Sequence, residues 1–296
     1  VFQIFLKRKI KIYQNAFPIG FFLFKSKSSK ILSYEKLFQY KREKKKLNSK
    51  IKKKSLNALR KFSSNPSMPY ILGTRFKALK IKDKNYSYLV YCHSFTDAQL
   101  HFGVDGFYDQ KDWLEFTLNE LSFSEKNILV KSHPNFYAKG YLNNSAYYDR
   151  KIYDKIRNKF RKFENISFLN SPIKNINVLK SLNNNKTIVI GHHTTALLEA
   201  LALDFKCISS SATFWDKKMR LTNLFSSREE FSKLLKKDIT FLKSHHSDDL
   251  IDISYKLLLN PKGYFGNKYI ADFLAKKLSI NRLKLTKDPD LAFMKA

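Results

Sequence analysis

Two stretches hold side chains whose types and spacing suit them to chemistry. The first is Thr187–Ala200, TIVIGHHTTALLEA. Four β-branched residues read as a buried strand, Gly-His-His as a turn, and Thr194–Leu203 as a helix. Unpaired N–H groups and the positive dipole end at a helix start suit such a turn to an anion. Thr194 and Thr195 add hydroxyl donors, His192 and His193 add imidazoles, and Glu199 lies about one and a half turns in. Glu199 either accepts hydrogen bonds from ribose hydroxyls or is a solvated helix residue. The second stretch, ILVKSHPN, ends a strand in Lys131, His133 and Asn135. Pro134 holds the residue before it extended and restricts the direction of the His133 imidazole, so His133 can donate to a phosphate or a nucleobase, or simply cap a strand-ending loop.

A third set, His93, Ser94 and Asp97 in YCHSFTDAQLHFG, follows another strand-like run. Asp97 is the candidate general base, a carboxylate that could take a proton from an acceptor hydroxyl. Its competing role is to cap a turn. His93 and His101 flank it.

The elements that must position these groups alternate between strand and helix. Strands are expected at Tyr88–Phe95, Asn127–Ser132, Ile166–Leu169, Thr187–Ile190, Phe205–Ser209 and Leu221–Phe225. Helices are expected at Asp109–Leu121, Asp149–Phe163, Ile173–Leu182, Thr194–Leu203 and Arg228–Leu235, with two more at Asp248–Leu259 and Asn267–Leu278. This alternation implies an α/β fold, a doubly wound, Rossmann-like parallel sheet. Ligands bind such a sheet at the carboxyl ends of its strands, the rim on which all three polar sets fall.

Composition bounds the rest. Of the formal net charge of +31, +21 lies in residues 1–84, so the basicity belongs mainly to the N-terminal part and need not describe the site. Attraction to a polyanion or anionic membrane surface and the Lys/Asn usage of an AT-rich genome are both open accounts of it. Tyr34–Phe62 fits one or two basic amphipathic helices, and a short strand or helix is expected near Ile4–Tyr13. The division expected is a basic N-terminal segment over 1–85, a remnant of an acceptor-binding domain, then a nucleotide-sugar-binding domain over 86–285 and a tail over 286–296. Cys92 and Cys207 read as buried, reduced thiols, pointing to the cytoplasm. No apolar run reaches the ~20 residues of a membrane span. His245-His246-Ser247-Asp248-Asp249 reads as a helix start rather than a metal cluster, and no metal site is expected. Neither a phosphate-binding glycine loop, a nucleophile elbow nor a cysteine zinc spacing is present. No specific nucleic-acid module is recognisable either.

In order and content these pieces resemble the bacterial glycosyltransferases of capsular and surface polysaccharide biosynthesis, which have the GT-B fold. The matching residues are YCHSFTDAQLHFG at 91–103, the Trp113 helix, ILVKSHPN at 128–135, NISFLNSP at 165–172 and IGHHTTALLEALALDFKCI at 190–208. The His-Pro and paired-hydroxyl turns look like those of sialyltransferases and Kdo transferases, and more distantly of teichoic-acid polyol-phosphate transferases. The resemblance implies a cytoplasmic enzyme, peripheral at the inner membrane, that transfers a sugar from a nucleotide-sugar donor, CMP-type favoured, to a glycan or glycolipid acceptor, without metal or other cofactor. His133 would contact the nucleotide, Thr194 and Thr195 its phosphate, and Asp97 would lie near the acceptor. Here the turn is His-His-Thr-Thr rather than Ser-Ser. A non-catalytic nucleotide- or polyanion-binding module and a polyol-phosphate transferase are the alternatives.

Overall fold

A computed structural model describes residues 12–15, 21–24, 48–60, 77, 85–96, 105–137, 143–213, 216, 220–245 and 247–254. Asp97, His101 and the expected helix at 267–278 lie outside the described residues. The chain divides into two units, one formed by residues 1–47 with 252–296 and the other by 48–251. Within the first, β1 (Ile12–Asn15) pairs antiparallel with β2 (Phe21–Phe24), placing Ile12 opposite Phe24.

The second unit is built on a six-stranded sheet. Its strands are β3 (Tyr86–Tyr91), β4 (Asn127–Lys131), β5 (Ile166–Leu169), β6 (Ile188–Gly191), β7 (Lys206–Ser210) and β8 (Asn223–Phe225), all paired in parallel in the order β5-β4-β3-β6-β7-β8. The chain starts in the middle, steps outward through β4 and β5, then returns to lie beside β3 and steps out the other way. This is the doubly wound α/β arrangement, and its switch point falls between β3 and β6.

Side-chain chemistry explains which strand lies where. In β6, IVIG, every residue is buried, and in β3, YSYLVY, all but one are. A strand covered on both faces needs such an uninterrupted apolar run. The edge strands β5 and β8 carry only partly buried residues at two of their positions. Helices α2 (Gln110–Ser122), α3 (Asn143–Phe160) and α6 (Arg228–Lys236) cover one face. There Tyr88, Val90, Ile128, Val130 and Ile190 meet Trp113, Leu118, Tyr153, Phe160 and Phe231 in one core. The opposite face, which carries Leu89, Leu129 and Val189, is served by α1 (Ser49–Arg60), α4 (Asn175–Lys180) and α5 (Ala196–Leu201). Arg60 Nε donates to the carbonyl of Ala202 at 3.0 Å, tying α1 to the end of α5. The last described helix is α7 (Ser247–Ser254), which begins where the Ser-Asp-Asp sequence marks a helix start. Among the described residues no helix is long and apolar enough to cross a membrane.

Helix starts follow local rules. Asp109 accepts from the Asp112 N–H at the start of α2, and Ser227 from the Glu230 N–H at the start of α6, where Glu230 Oε2 in turn accepts from the Ser226 N–H. Of the boundaries that differ from the expected ones, three have consequences for the site. Strand β3 ends at Tyr91, not Phe95, because ladder pairing with β4 stops at Lys131, so His93 and Ser94 stand past the strand in the turn. Helix α3 starts at Asn143, which places Asp149 in its interior rather than at its start. Helix α5 starts at Ala196, two residues late, because Thr194 Oγ1 accepts from the Ala196 N–H in the turn that precedes it.

Candidate active site

The switch point brings together the ends of β3, β4 and β6. Past β3, the turn 92–96 is held from below by Asp149, which is fully buried in α3. Ser94 Oγ donates to Asp149 Oδ2 at 2.5 Å and the Thr96 N–H to Oδ1 at 2.9 Å. Burial pushes the Asp149 carboxyl up, and these hydrogen bonds oppose that shift. Ser94 is therefore buried and engaged within the protein, and His93, half-buried, is the group this clamp presents to the crevice. Its Nδ1–H donates to the Ser94 carbonyl at 3.2 Å.

Past β4, Ser132 Oγ donates to the Leu169 carbonyl, and the Pro134–Tyr137 segment turns as a short 3-10 helix. Arg150 anchors that turn through two donors to the Phe136 carbonyl, at 2.9 and 2.7 Å. His133 Nδ1 accepts from the Asn135 N–H at 3.2 Å. In the neutral ring the proton then sits on Nε2, making that nitrogen a donor. Burial pulls the His133 pKa well below its ordinary value, helped by His93 and Lys131, so neutral is the form present at physiological pH. The His93 and His133 ring centroids lie 5.6 Å apart. Asn135 Oδ1 is enclosed without a hydrogen-bond partner among the described residues.

Beneath this pair lies a buried polar cluster. Lys131 is 2% exposed, its Nζ 3.4 Å from the Ser132 carbonyl and 5.8 Å from the centre of the Tyr91 ring. Burial lowers its pKa to about 8, against the attraction of Glu199. Glu199 is fully buried and accepts from Asn175 Nδ2 at 3.3 Å, so it is not a solvated helix residue. The Tyr91 hydroxyl is buried without a hydrogen-bond partner among the described residues, and burial raises its pKa.

The turn after β6 divides its four polar residues. Thr194 is buried with its oxygen accepting from Ala196, while Thr195 is half-buried and makes no capping hydrogen bond. His192 is wholly enclosed: Nε2 is 2.6 Å from Asp105 Oδ2, Nδ1 is 2.8 Å from Gln110 Nε2, and its carbonyl accepts from Thr213 Oγ1 at 2.9 Å. Burial lowers its proton affinity and Asp105 opposes that. His193 packs against it with ring centroids 4.0 Å apart. The structure thus brings His93, His133, Lys131 and Thr195 to the switch point and sets His192 behind them. Sequence reading missed Asp105, Gln110 and the clamping role of Asp149. The Asp105-Gly106 turn signal was legible, and Gly106 has φ +92°, but its partner lies 87 residues further along the chain.

Gly191 makes the turn tight. A Cβ there would lie 2.4 Å from Thr194 Cγ2 and 3.3 Å from Leu197 Cγ. Gly191→Ala is expected to cost about 1–3 kcal/mol, a fall in melting temperature of about 2–4 °C per kcal/mol. Thermal unfolding followed by circular dichroism measures it. Adding Thr194→Ser, which removes the clashing methyl, should restore most of the loss; a double variant no better than the single one would rule out this contact as the cause.

No family model matches the sequence, and no curated protein matches it. Several solved structures align with it at low similarity. KpsC from Thermosulfurimonas dismutans, a beta Kdo 2,4 transferase, aligns with a TM-score of 0.48 at 13% identity over 86% of this chain and 74% of its own. UDP-GlcNAc 2-epimerase from Methanocaldococcus jannaschii aligns with a TM-score of 0.37 at 14% identity, over 71% of this chain and 53% of its own. The N-terminal domain of Candida albicans trehalose-6-phosphate phosphatase aligns with a TM-score of 0.35 at 14% identity, over 83% and 48%. The doubly wound α/β class rests on the strand order and parallel pairing of this chain itself.

Proposed function

We propose that this chain is a glycosyltransferase of surface polysaccharide biosynthesis that takes a nucleotide-sugar donor, CMP-type favoured, and a glycan or glycolipid acceptor. The observation that carries the reading is the paired His93 and His133 at the ends of β3 and β4, beside the switch point and above a buried lysine. A neutral His133 with its proton on Nε2 is a fixed donor for a nucleotide base or phosphate oxygen. Thr195, with Thr194 behind it, supplies hydroxyl donors to the phosphate, and the Lys131 charge offsets the negative charge that grows on it as the glycosidic bond to the donor breaks. The acceptor hydroxyl forms the new bond to the anomeric carbon, its proton passes to Asp97, and the nucleoside phosphate leaves. Asn135 and Glu199 complete the donor pocket in this reading, and residues 86–285 are its donor-binding domain. The basic segment over 1–85 is the part proposed to meet the acceptor side and the inner, anionic membrane surface.

Thermal shift with CMP, CDP, UDP and GDP tests the donor site. At least one nucleotide should raise the melting temperature of the full chain, and Thr194→Ala with Thr195→Ala should reduce that rise. Should no nucleotide stabilise the protein, the donor-site reading fails. Should a nucleotide bind without sugar transfer to any acceptor, irrespective of Asp97→Asn, the chain is a binding module instead.

A further inference from the structure

Behind the switch point, Asp105, His192 and His193 bring one carboxylate oxygen and two imidazole nitrogens within 4.8 Å of one another. All three are buried, at 1%, 0% and 3% exposure. Among the described residues, Asp105 Oδ1 has no hydrogen-bond partner, and the ion-pair partner of Oδ2 is the imidazole of His192 rather than a lysine or arginine. Enclosing a carboxylate on such terms is costly. We infer that Asp105, His192 and His193 form a site for a divalent transition-metal ion of the zinc class, with Gln110 supporting His192 from the outer shell.

The donor set decides the class. Two imidazoles and one carboxylate suit zinc, cobalt or nickel, whereas magnesium and calcium favour oxygen donors. Ligands on bonds of about 2.0–2.2 Å stand about 3.3–3.6 Å apart in a tetrahedron. The Asp105–His192 contact of 2.6 Å must therefore open slightly to admit the ion, while the 4.8 Å span must close. A metal-bound imidazole must carry its proton on the other nitrogen and give it to an acceptor. Gln110 provides for this: its amide faces His192 Nδ1 at 2.8 Å through Nε2, and its Oε1 is buried without a partner among the described residues. Turning the amide puts Oε1 against Nδ1–H, so the ring proton moves from Nε2 to Nδ1 and the Nε2 lone pair binds the ion. Trp113, Phe107 and Phe225 surround the His192 ring at centroid distances of 5.4, 6.1 and 6.0 Å. That apolar shell marks a structural site that staples the Asp105 loop to the β6 turn. The inference does not depend on the glycosyl-transfer reading.

The test uses the full chain, stripped with chelator and titrated with Zn²⁺ or Co²⁺. Expected are uptake of about one ion per chain and a rise in melting temperature of about 5–10 °C at about 100 times Kd. In a Trp215→Phe background, Co²⁺ or Ni²⁺ should quench Trp113 fluorescence. Asp105→Asn, which can still accept from His192, should fold and lose all three responses. Gln110→Glu should tighten binding about tenfold or more, as outer-shell partners do. The proposal is overturned if wild type shows no uptake, shift or quenching, or if these persist unchanged in Asp105→Asn. Should that variant not fold, an ion affinity unaltered by Gln110→Glu overturns it.

Discussion

Lys131→Met is expected to stabilise the protein at pH 7 by about 3 kcal/mol, the free-energy equivalent of lowering a lysine from 10.5 to about 8. On a unit of this size that is a rise in melting temperature of about 6–12 °C. Burial of the ammonium is the main cause, and the attraction of Glu199 returns only part of it. Between pH 8 and 10.5 the unfolded chain binds more protons at this position than the folded one, so stability from this group rises with pH across that window. The penalty is complete below pH 8 and gone above 10.5, and the advantage of the variant should vanish over the same range. Cys92 and Cys207, whose thiols burial pushes up, titrate in the opposite sense. The difference between wild type and variant at each pH isolates Lys131. A variant less stable than wild type would mean that attraction to Glu199 outweighs desolvation. On the proposed donor-site reading, the same variant should also weaken the nucleotide response measured by thermal shift.

If the chain is the glycosyltransferase proposed above, His133→Ala is expected to lower kcat/KM for sugar transfer by about 10²–10³-fold, the usual cost of removing one fixed donor from a site where negative charge develops. The effect should fall on kcat, because the additional negative charge on the leaving phosphate is absent from the ground state and develops towards the transition state. The His133 pKa is held below its ordinary value by burial and then by His93 and Lys131, so protonation of His133 should not limit activity between pH 6.5 and 8. Removing the Lys131 charge lifts one of those causes, and in Lys131→Met any acid limb due to His133 should move to higher pH. A rate unchanged by His133→Ala would take His133 out of the reaction.

How far each residue was legible follows from what binds it. The strands of the sheet could be read because buried parallel strands need uninterrupted runs such as LVY in β3, ILVK in β4 and IVIG in β6. The helices were read from their apolar spacing and, at Ser247-Asp248-Asp249, from a helix-start signal, and the His-Pro and His-His-Thr-Thr turns were placed correctly at strand ends. What lies past the end of β3 was not legible, because a distant side chain holds it. Ser94 leaves the strand for Asp149, 55 residues away, and no local signal announces that partner.

The sequence by itself determined the alternation of elements, the apolar faces and the rim on which His93, His133 and Thr195 stand, because periodicity and turn chemistry are local properties. Only the tertiary structure decided which polar residue faces the crevice and which faces the core. His192 and His193 are neighbours of the same kind in sequence, yet what encloses His192 comes from Asp105, Gln110 and Thr213. Those residues reach it only because the sheet order sets β6 between β3 and β7. Burial then turns an ordinary lysine, aspartate or histidine into a group whose proton affinity its neighbours set, and those neighbours are distant in the chain.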